Sequence, residues 1–480
     1  MKHRAVRCVG AVLASLLILS SGSALAAVGE GGIPHLDGGE LGLLWIAPFV
    51  GILLSIALMP LALPHFWHHH FGKVSAFWGL AFLIPFAIFY GWDLALYETL
   101  HVGLLEYLPF IILLGALFTV AGGVRVTGSL VGTPAVNTGM LFVGTVMASW
   151  MGTTGAAMLL IRPLINANEH RGSMVHTVVF FIFLVANVGG SLTPLGDPPL
   201  FLGFLNGVDF FWTTTHMLAP MALVSVLLLA VYFVLDTILY SREGPKRAAS
   251  VESHEEKLGV EGKVNFLLLL AIVGAVLLSG VWKPGISFTV YHVEVQIQNL
   301  ARDVLLIMIA LLSIRLTVDE SRRKNGFSWF PIVEVAKLFA AIFITIVPAI
   351  AILRAGSDGA LASVVDLVSN DGQPVNVMYF WLTGLLSSFL DNAPTYLVFF
   401  NTAGGDAEAL MGPMAETLLA ISAGAVFMGA NTYIGNAPNF MVRSIAVERG
   451  VPMPSFFGYM GWSIIFLMPM FVLVTFVFFV

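Results

Sequence analysis

The chain has 480 residues, of which 58% are hydrophobic and only 10% charged. Ordinary soluble domains carry about 25% charged residues, so a soluble enzyme or binding module is excluded, and without a basic stripe no nucleic-acid partner is expected. The formal net charge of −6 says little, because the charges fall mostly between apolar runs.

Lys2, Arg4 and Arg7 precede the apolar stretch "VGAVLASLLILSS", and Ala24 to Ala26 read "ALA". Basic, apolar and small-residue regions in that order predict a signal peptide over 1–26; an uncleaved first helix is the alternative. The single cysteine, Cys8, lies ahead of the apolar core. After cleavage no thiol would remain, so cysteine carries no redox information.

Ten apolar segments follow, at about 41–63, 74–92, 103–121, 174–204, 212–239, 264–282, 303–318, 329–353, 414–442 and 457–479. Such runs cross a bilayer as helix. They do not alternate as barrel strands would. Two further stretches, 134–170 and 376–410, are broken in the middle and read as re-entrant hairpins. The positive-inside rule agrees with that reading. With a periplasmic mature N-terminus, the cytoplasmic loops collect Lys73, Arg125, Arg171, the group from Arg242 to Lys263, Arg315, Arg322, Arg323, Lys324, Arg443 and Arg449. The periplasmic side keeps mainly Lys283, Arg302 and Arg354. The expected fold class is an all-α polytopic membrane protein with about ten transmembrane helices, two re-entrant hairpins and two broken helices. The bilayer is its expected partner and a bacterial inner membrane its expected location.

Residues 186–201, "ANVGGSLTPLGDPPLF", and 425–440, "AVFMGANTYIGNAPNF", share Ala186/Ala425, Gly190/Gly429, Thr193/Thr432, Gly196/Gly435, Pro199/Pro438 and Phe201/Phe440 at a constant offset of 239. The same offset aligns "SWMGTTGAA" (149–157) with "SFLDNAPTY" (388–396). Self-similarity at a fixed offset marks an internal repeat. The halves 41–239 and 264–480, joined by a cytoplasmic linker over 240–263, then hold five crossings and one hairpin each. Five is odd, so the second half enters the membrane from the opposite side. Inverted-topology repeats of this kind build secondary transporters. The hairpin 134–170 opens to the cytoplasm and 376–410 to the periplasm, with tips near Thr153 and Asn392 expected to meet near mid-membrane.

"LTPLGDPP" and "NTYIGNAP" break the crossings 174–204 and 414–442. A plain proline kink is the bland alternative. Unwound backbone at membrane depth is tolerated only inside protein or at a cavity, and there it exposes helix-end groups that bind ions and substrates. The residues available are Thr153, Thr154, Asn187, Ser191, Thr193 and Asp197 in the first half, and Asp391, Asn392, Thr395, Asn431, Thr432, Asn436 and Asn439 in the second. Oxygen donors suit hard cations such as Na⁺. Each Asp can instead be a helix cap. Arg162 on the returning limb of the first hairpin is read as reaching the interface rather than binding an anion. "HFWHHH", with His65, His68, His69 and His70, is read as a solvated interfacial loop. No P-loop and no nucleophile–base or metal-ligand spacing is present, so neither ATP-driven transport nor an enzyme is expected.

"NVGGSLTPLGDPPL" and "GANTYIGNAPNFM", with "GTTGA" and "DNAPTYL" at the hairpin tips, resemble the ion transporter superfamily. Within it the sequence is most similar to Nha-type bacterial sodium/proton antiporters that share the citrate-transporter-like domain. The resemblance implies a homodimer with a scaffold and a mobile transport part working as an elevator. Dicarboxylate and tricarboxylate carriers usually show Ser-Asn-Thr at both tips. Here the tips read "GTT" and "DNA", and Asp391 would repel an anion. The leading expectation is therefore Na⁺/H⁺ antiport, with no cofactor and with Na⁺ and H⁺ as cargo. Asp391 and Asp197 would alternate between protonated and Na⁺-bound states, and Thr153, Thr154, Thr193, Asn392, Asn431, Thr432 and Asn436 would complete the oxygen shell. Na⁺-coupled uptake of citrate or another carboxylate is the rival, followed by an anion permease with a separate ATPase.

Overall fold

The computed structural model describes residues 36–128, 130–243, 259–370 and 372–480. The expected signal peptide and residues 244–258 of the expected linker lie outside the described residues.

Seven of the described helices are long and apolar enough to cross a membrane: Leu43–Ala62, Pro64–Tyr90, Trp92–Ala121, Val175–Leu192, Trp212–Arg242, Val264–Val281 and Ile297–Leu316. Two pairs, Phe330–Thr345 with Val347–Arg354 and Phe456–Phe466 with Met468–Phe478, are each bent by 41° and count as one crossing apiece when taken as single spans. Pro348 and Pro469 sit at the start of the second members. Proline removes a backbone donor there, which accounts for both bends. The protein is an all-α polytopic membrane protein.

Four segments differ from expectation. The crossing expected over 414–442 contains Ala415–Met428, only 14 residues long, and then a break, so it is too short to span alone. The segment expected from 74 starts ten residues earlier, at Pro64. "HFWHHH" is therefore helix, not a solvated loop. Pro64 stands at the first helical position, where its missing N–H costs nothing. Trp67 and Phe71 bury against Leu338, and His68 stacks on Phe330 at 4.8 Å. The segment expected from 103 also starts earlier, at Trp92, and runs through a π-helical turn at Gly103–Tyr107. A short hairpin, Ser287–Val290 with Val293–Gln296, has no counterpart in the sequence reading.

Arg125–Thr127 pairs antiparallel with Gly259–Glu261. This ties the loop after Trp92–Ala121 to the end of the linker. Ser321 Oγ donates to Glu261 at 2.8 Å, which holds that carboxyl below its usual range.

The helices form two groups. Leu43–Ala62, Pro64–Tyr90, Trp92–Ala121, Val264–Val281, Ile297–Leu316 and Phe330–Thr345 pack mainly on one another. The second group holds Pro134–Met151 and Thr153–Ala167, which form the first hairpin, and Asn376–Phe389 and Asn392–Thr402, which form the second. It also holds both broken helices, Trp212–Arg242 and the C-terminal pair. Val175–Leu192 is 89% buried inside the protein, against 28% for Leu43–Ala62. The irregular backbone is thus kept from lipid, as unsatisfied peptide groups require.

Candidate transport site

Four helices begin at one place. Thr153–Ala167 follows Gly152, Pro198–Leu205 follows Asp197, Asn392–Thr402 follows Asp391, and Ala437–Glu448 follows Asn436. The offset of 239 pairs Gly152 with Asp391 and Asp197 with Asn436. Each helix turns the positive end of its dipole to this place, although Pro198 and Pro199 bring no N–H and Thr153 N already donates to Gly196 O at 2.8 Å.

The backbone around both breaks is held in the same way. The Thr193 hydroxyl donates to the Ser149 carbonyl, as Thr432 Oγ1 does to Ser388 O. Leu195 N donates back to Thr193 Oγ1 and Ile434 N to Thr432 Oγ1, both at 3.2 Å. A Cβ on Gly196 would lie 2.1 Å from Gly190 O, and one on Gly435 2.5 Å from Gly429 O. Only glycine lets these backbones touch. Gly152 takes φ +82, the left-handed region, at the turn between the arms of the first hairpin.

Asp197 is the hub where the halves meet. Its Oδ1 accepts from Thr153 Oγ1 at 3.0 Å and from Asn436 Nδ2 at 3.0 Å. Its Oδ2 accepts from Asn392 Nδ2 at 2.5 Å. Both hairpin tips and both breaks therefore converge on one buried carboxylate. A second layer lies behind it. Asn436 also reaches Asn187 Oδ1 at 3.2 Å, Asn187 donates to Asn439 Oδ1 at 2.7 Å, and Asn439 donates to the Gly429 and Thr432 carbonyls.

Asp391 is different. It is half-buried, and its Oδ1 caps its own helix by accepting from Ala393 N at 3.0 Å. Its carboxylate holds no other hydrogen bond among the described residues, and its backbone carbonyl accepts from Thr395 Oγ1 at 3.0 Å.

Of the nine site residues expected from sequence, Asp197, Asp391, Thr153, Thr154 and Asn436 line one cavity of about 100 Å³. Its other walls are apolar and come from both helix groups, including Leu113, Leu117, Pro331, Ile332 and Phe339. Among the described residues, no cationic side chain lines it. Asn392 touches the site through Asp197. Thr193 and Thr432 do not face the cavity; their hydroxyls fasten breaks to hairpins. Asn431 lies behind the second break and donates to Ser388 Oγ at 2.9 Å. Arg162 does not line the cavity either. Its guanidinium packs so close to Gly326 that a side chain there would meet it at 2.4 Å.

The hydrogen-bond accounting at the site is one-sided. Asn392 Oδ1 and Asn431 Oδ1 are buried and have no donor among the described residues. Both orientations are fixed by their amide nitrogens, one on a carboxylate and one on Ser388 Oγ, whose own proton goes to the Gly384 or Met428 carbonyl. No buried donor of these site residues is left over.

Sequence reasoning missed Ser149 and Ser388. Ser149 Oγ donates to Gly189 O and accepts from Leu192 N. Ser388 opens the "SFLDNAPTY" window at the position of Ser149, and that matching pair was the available signal.

Buried breaks, hairpin tips that meet within the second helix group, and a cavity between the two groups are the architecture of a polytopic membrane transporter. Residues 38–479 match the family described as "Putative citrate transport". The chain belongs to that family. A stretch of 272 residues is 25% identical to a "46 kDa membrane protein" of Mycobacterium leprae, covering 56% of this chain and 59% of that relative. The chain thus spans less than two thirds of that relative's length.

Proposed function

We propose that the protein is a secondary active transporter that exports Na⁺ in exchange for H⁺. The observation that carries this reading is the acceptor-only deficit. Two buried carboxamide oxygens lack donors, Asn392 Oδ1 next to Asp197 and Asn431 Oδ1 behind the second break, and the cavity in front of them is lined by two carboxylates and, among the described residues, by no cation. Unmet buried oxygen is what a desolvated cation satisfies.

Charge bookkeeping supports the same reading. H⁺ and Na⁺ each carry one positive charge, so whichever of them joins the two cavity carboxylates leaves the same site charge. Proton and sodium then compete for one vacancy, and competition at a site that alternates between two sides is exchange. Asp391 is the group with coordination to spare and is proposed to bind either ion. Asp197, already holding three donors, is proposed to keep the two hairpins in register around it. The two halves are proposed to form an inverted repeat of five crossings each, working as a homodimer by an elevator motion in a bacterial inner membrane, with the mature N-terminus in the periplasm.

Na⁺-coupled carboxylate transport is the second reading, favoured by the family's description. Four helix N-termini favour an anion once both carboxylates are neutralised. Transport in proteoliposomes separates the two. Collapse of an imposed ΔpH by Na⁺ without any carboxylate is the expected result. Na⁺-dependent citrate accumulation without that collapse would overturn the exchange reading.

A further inference from the structure

The second hairpin carries Asp391 at its tip, so whatever holds its base governs when that carboxylate moves. One contact stands out there. Arg354 ends the bent pair Val347–Arg354, and its Nε donates to Asn401 Oδ1 at 2.7 Å. Asn401 is fully buried on the returning limb of the hairpin. Its Nδ2 is committed to Leu397 O at 2.8 Å, so Arg354 is the donor that satisfies its Oδ1.

A second acceptor waits nearby. Glu106 lies in the π-helical turn Gly103–Tyr107, and its Oε2 is buried with no partner among the described residues. It lies within electrostatic reach of Arg354. The turn packs on Pro198–Leu205, the helix that Asp197 precedes, and that helix packs on Asn392–Thr402. π-turns inside helices recur at functional places. One guanidinium thus has a satisfied partner on the hairpin and, within electrostatic reach, an unsatisfied one on Trp92–Ala121.

The other hairpin carries a related device. Asn401 corresponds, at the offset of 239, to Arg162. Arg162 lies on the returning limb of the first hairpin, against Gly326, with a buried Nη1 that has no partner among the described residues.

We infer that Arg354 is a positioning residue for the second hairpin, exchanging its guanidinium from Asn401 to Glu106 when that hairpin moves. Two discrete partners make a bistable contact of the kind that switches use. A group with two partners shifts the balance toward whichever partner is strengthened. The inference rests on the transport reading only in requiring that the hairpin moves.

The test uses the full chain with Cys8→Ser and a reporter Thr154→Cys on the cavity wall. The rate of labelling by a membrane-impermeant maleimide is compared from the two membrane sides, in the absence of transport. Asn401→Asp strengthens the present contact, and Glu106→Gln weakens the alternative. Both should raise the ratio of labelling rates in favour of the side preferred by the parent protein, by about fivefold, the low end of couplings between sites. Arg354→Ala should move that ratio the other way, Arg354→Lys less so, and adding Glu106→Gln to Arg354→Ala should change nothing more. Opposite shifts for Asn401→Asp and Glu106→Gln, or an unchanged ratio in both, would overturn the exchange of partners. If Arg354→Ala does not fold, the other three variants still decide. Labelling does not depend on which ion is carried. Absence of Na⁺/H⁺ exchange in the chain with its native Thr154, together with these shifts in the labelled chain, would sink the exchange reading and leave this inference standing.

Discussion

At the two breaks the same backbone carries different charges. Thr193 and Thr432 make matching bonds to Ser149 and Ser388, and Gly196 and Gly435 make matching close approaches. Yet Asp197 faces Asn436 across the site, and the cap that is Gly152 in the first hairpin is Asp391 in the second. Geometry is duplicated and titratable charge is not. The first half contributes a carboxylate saturated with donors, which assembles the site. The second contributes a carboxylate with one capping bond, which faces the cavity. The proposed division of labour between a structural and an exchangeable charge rests on that asymmetry.

The strongest way to break the comparison is to make the breaks alike. Asn436→Asp places a second buried carboxylate against Asp197 Oδ1, where the amide now donates at 3.0 Å. An uncompensated buried charge costs about 3–5 kcal/mol, so melting in detergent should fall accordingly. The exchanged pair, Asp197→Asn with Asn436→Asp, restores a single charge and should recover much of that loss. A swap no more stable than Asn436→Asp alone would mean that the halves are not interchangeable at this position.

Next in size is Gly196→Ala, whose Cβ would lie 2.1 Å from a backbone carbonyl. The loss should sit at or above the upper end of the 1–3 kcal/mol typical of overpacking, because backbone cannot rotate away. Gly435→Ala, at 2.5 Å, should cost less. Equal tolerance of both would show that the breaks relax freely.

The two carboxylates should separate stability from transport. Asp197→Asn replaces one acceptor oxygen by a donor facing other donors. It should cost about 1–3 kcal/mol for the group left unsatisfied, as well as exchange. Asp391→Asn keeps the cap to Ala393, since Asn caps as well as Asp, so melting should change by no more than a few tenths of a kcal/mol. Na⁺-driven ΔpH collapse should nevertheless fall to background, because an amide cannot release a proton. Wild-type exchange in Asp391→Asn would remove that residue from the proposed proton step.

The contrast was partly legible in the sequence. The fixed offset joined "SWMGTTGAA" to "SFLDNAPTY" and the two break motifs to each other, and proline and glycine in apolar runs marked where helix had to stop. The Asp197/Asn436 mismatch was visible too. Partner choice was not. Nothing local to Thr193 or Thr432 says that their hydroxyls turn to the hairpin backbone, since that depends on an arm some forty residues away, at Ser149 and Ser388. The histidine run misled for a related reason. Four histidines read as polar in isolation, but Trp67 and Phe71 on the same turns find Leu338, and that distant partner makes the segment helix. The crossing expected over 414–442 also failed by length, because a helix that ends in a break inside protein need not reach across the bilayer by itself.

The smallest effect is the most discriminating between the halves. Ser149 Oγ bonds only backbone groups, Gly189 O and Leu192 N. Ser388 Oγ donates to the Gly384 or Met428 carbonyl and also accepts from Asn431 Nδ2. Ser149→Ala and Ser388→Ala should therefore each cost about 1 kcal/mol of stability, the net worth of an ordinary hydrogen bond. Their effects on transport should part. If Asn431 Oδ1 is a cation ligand, its direction is set by the bond from Nδ2 to Ser388, and losing that anchor lets the amide turn. Half-maximal Na⁺ for ΔpH collapse should then rise severalfold in Ser388→Ala, as is usual when a group that orients a ligand is removed. Ser149→Ala, which orients no side chain at the site, should leave it unchanged. Equal shifts in the two variants would mean that the serines act only by holding the breaks, and that Asn431 Oδ1 is not a ligand.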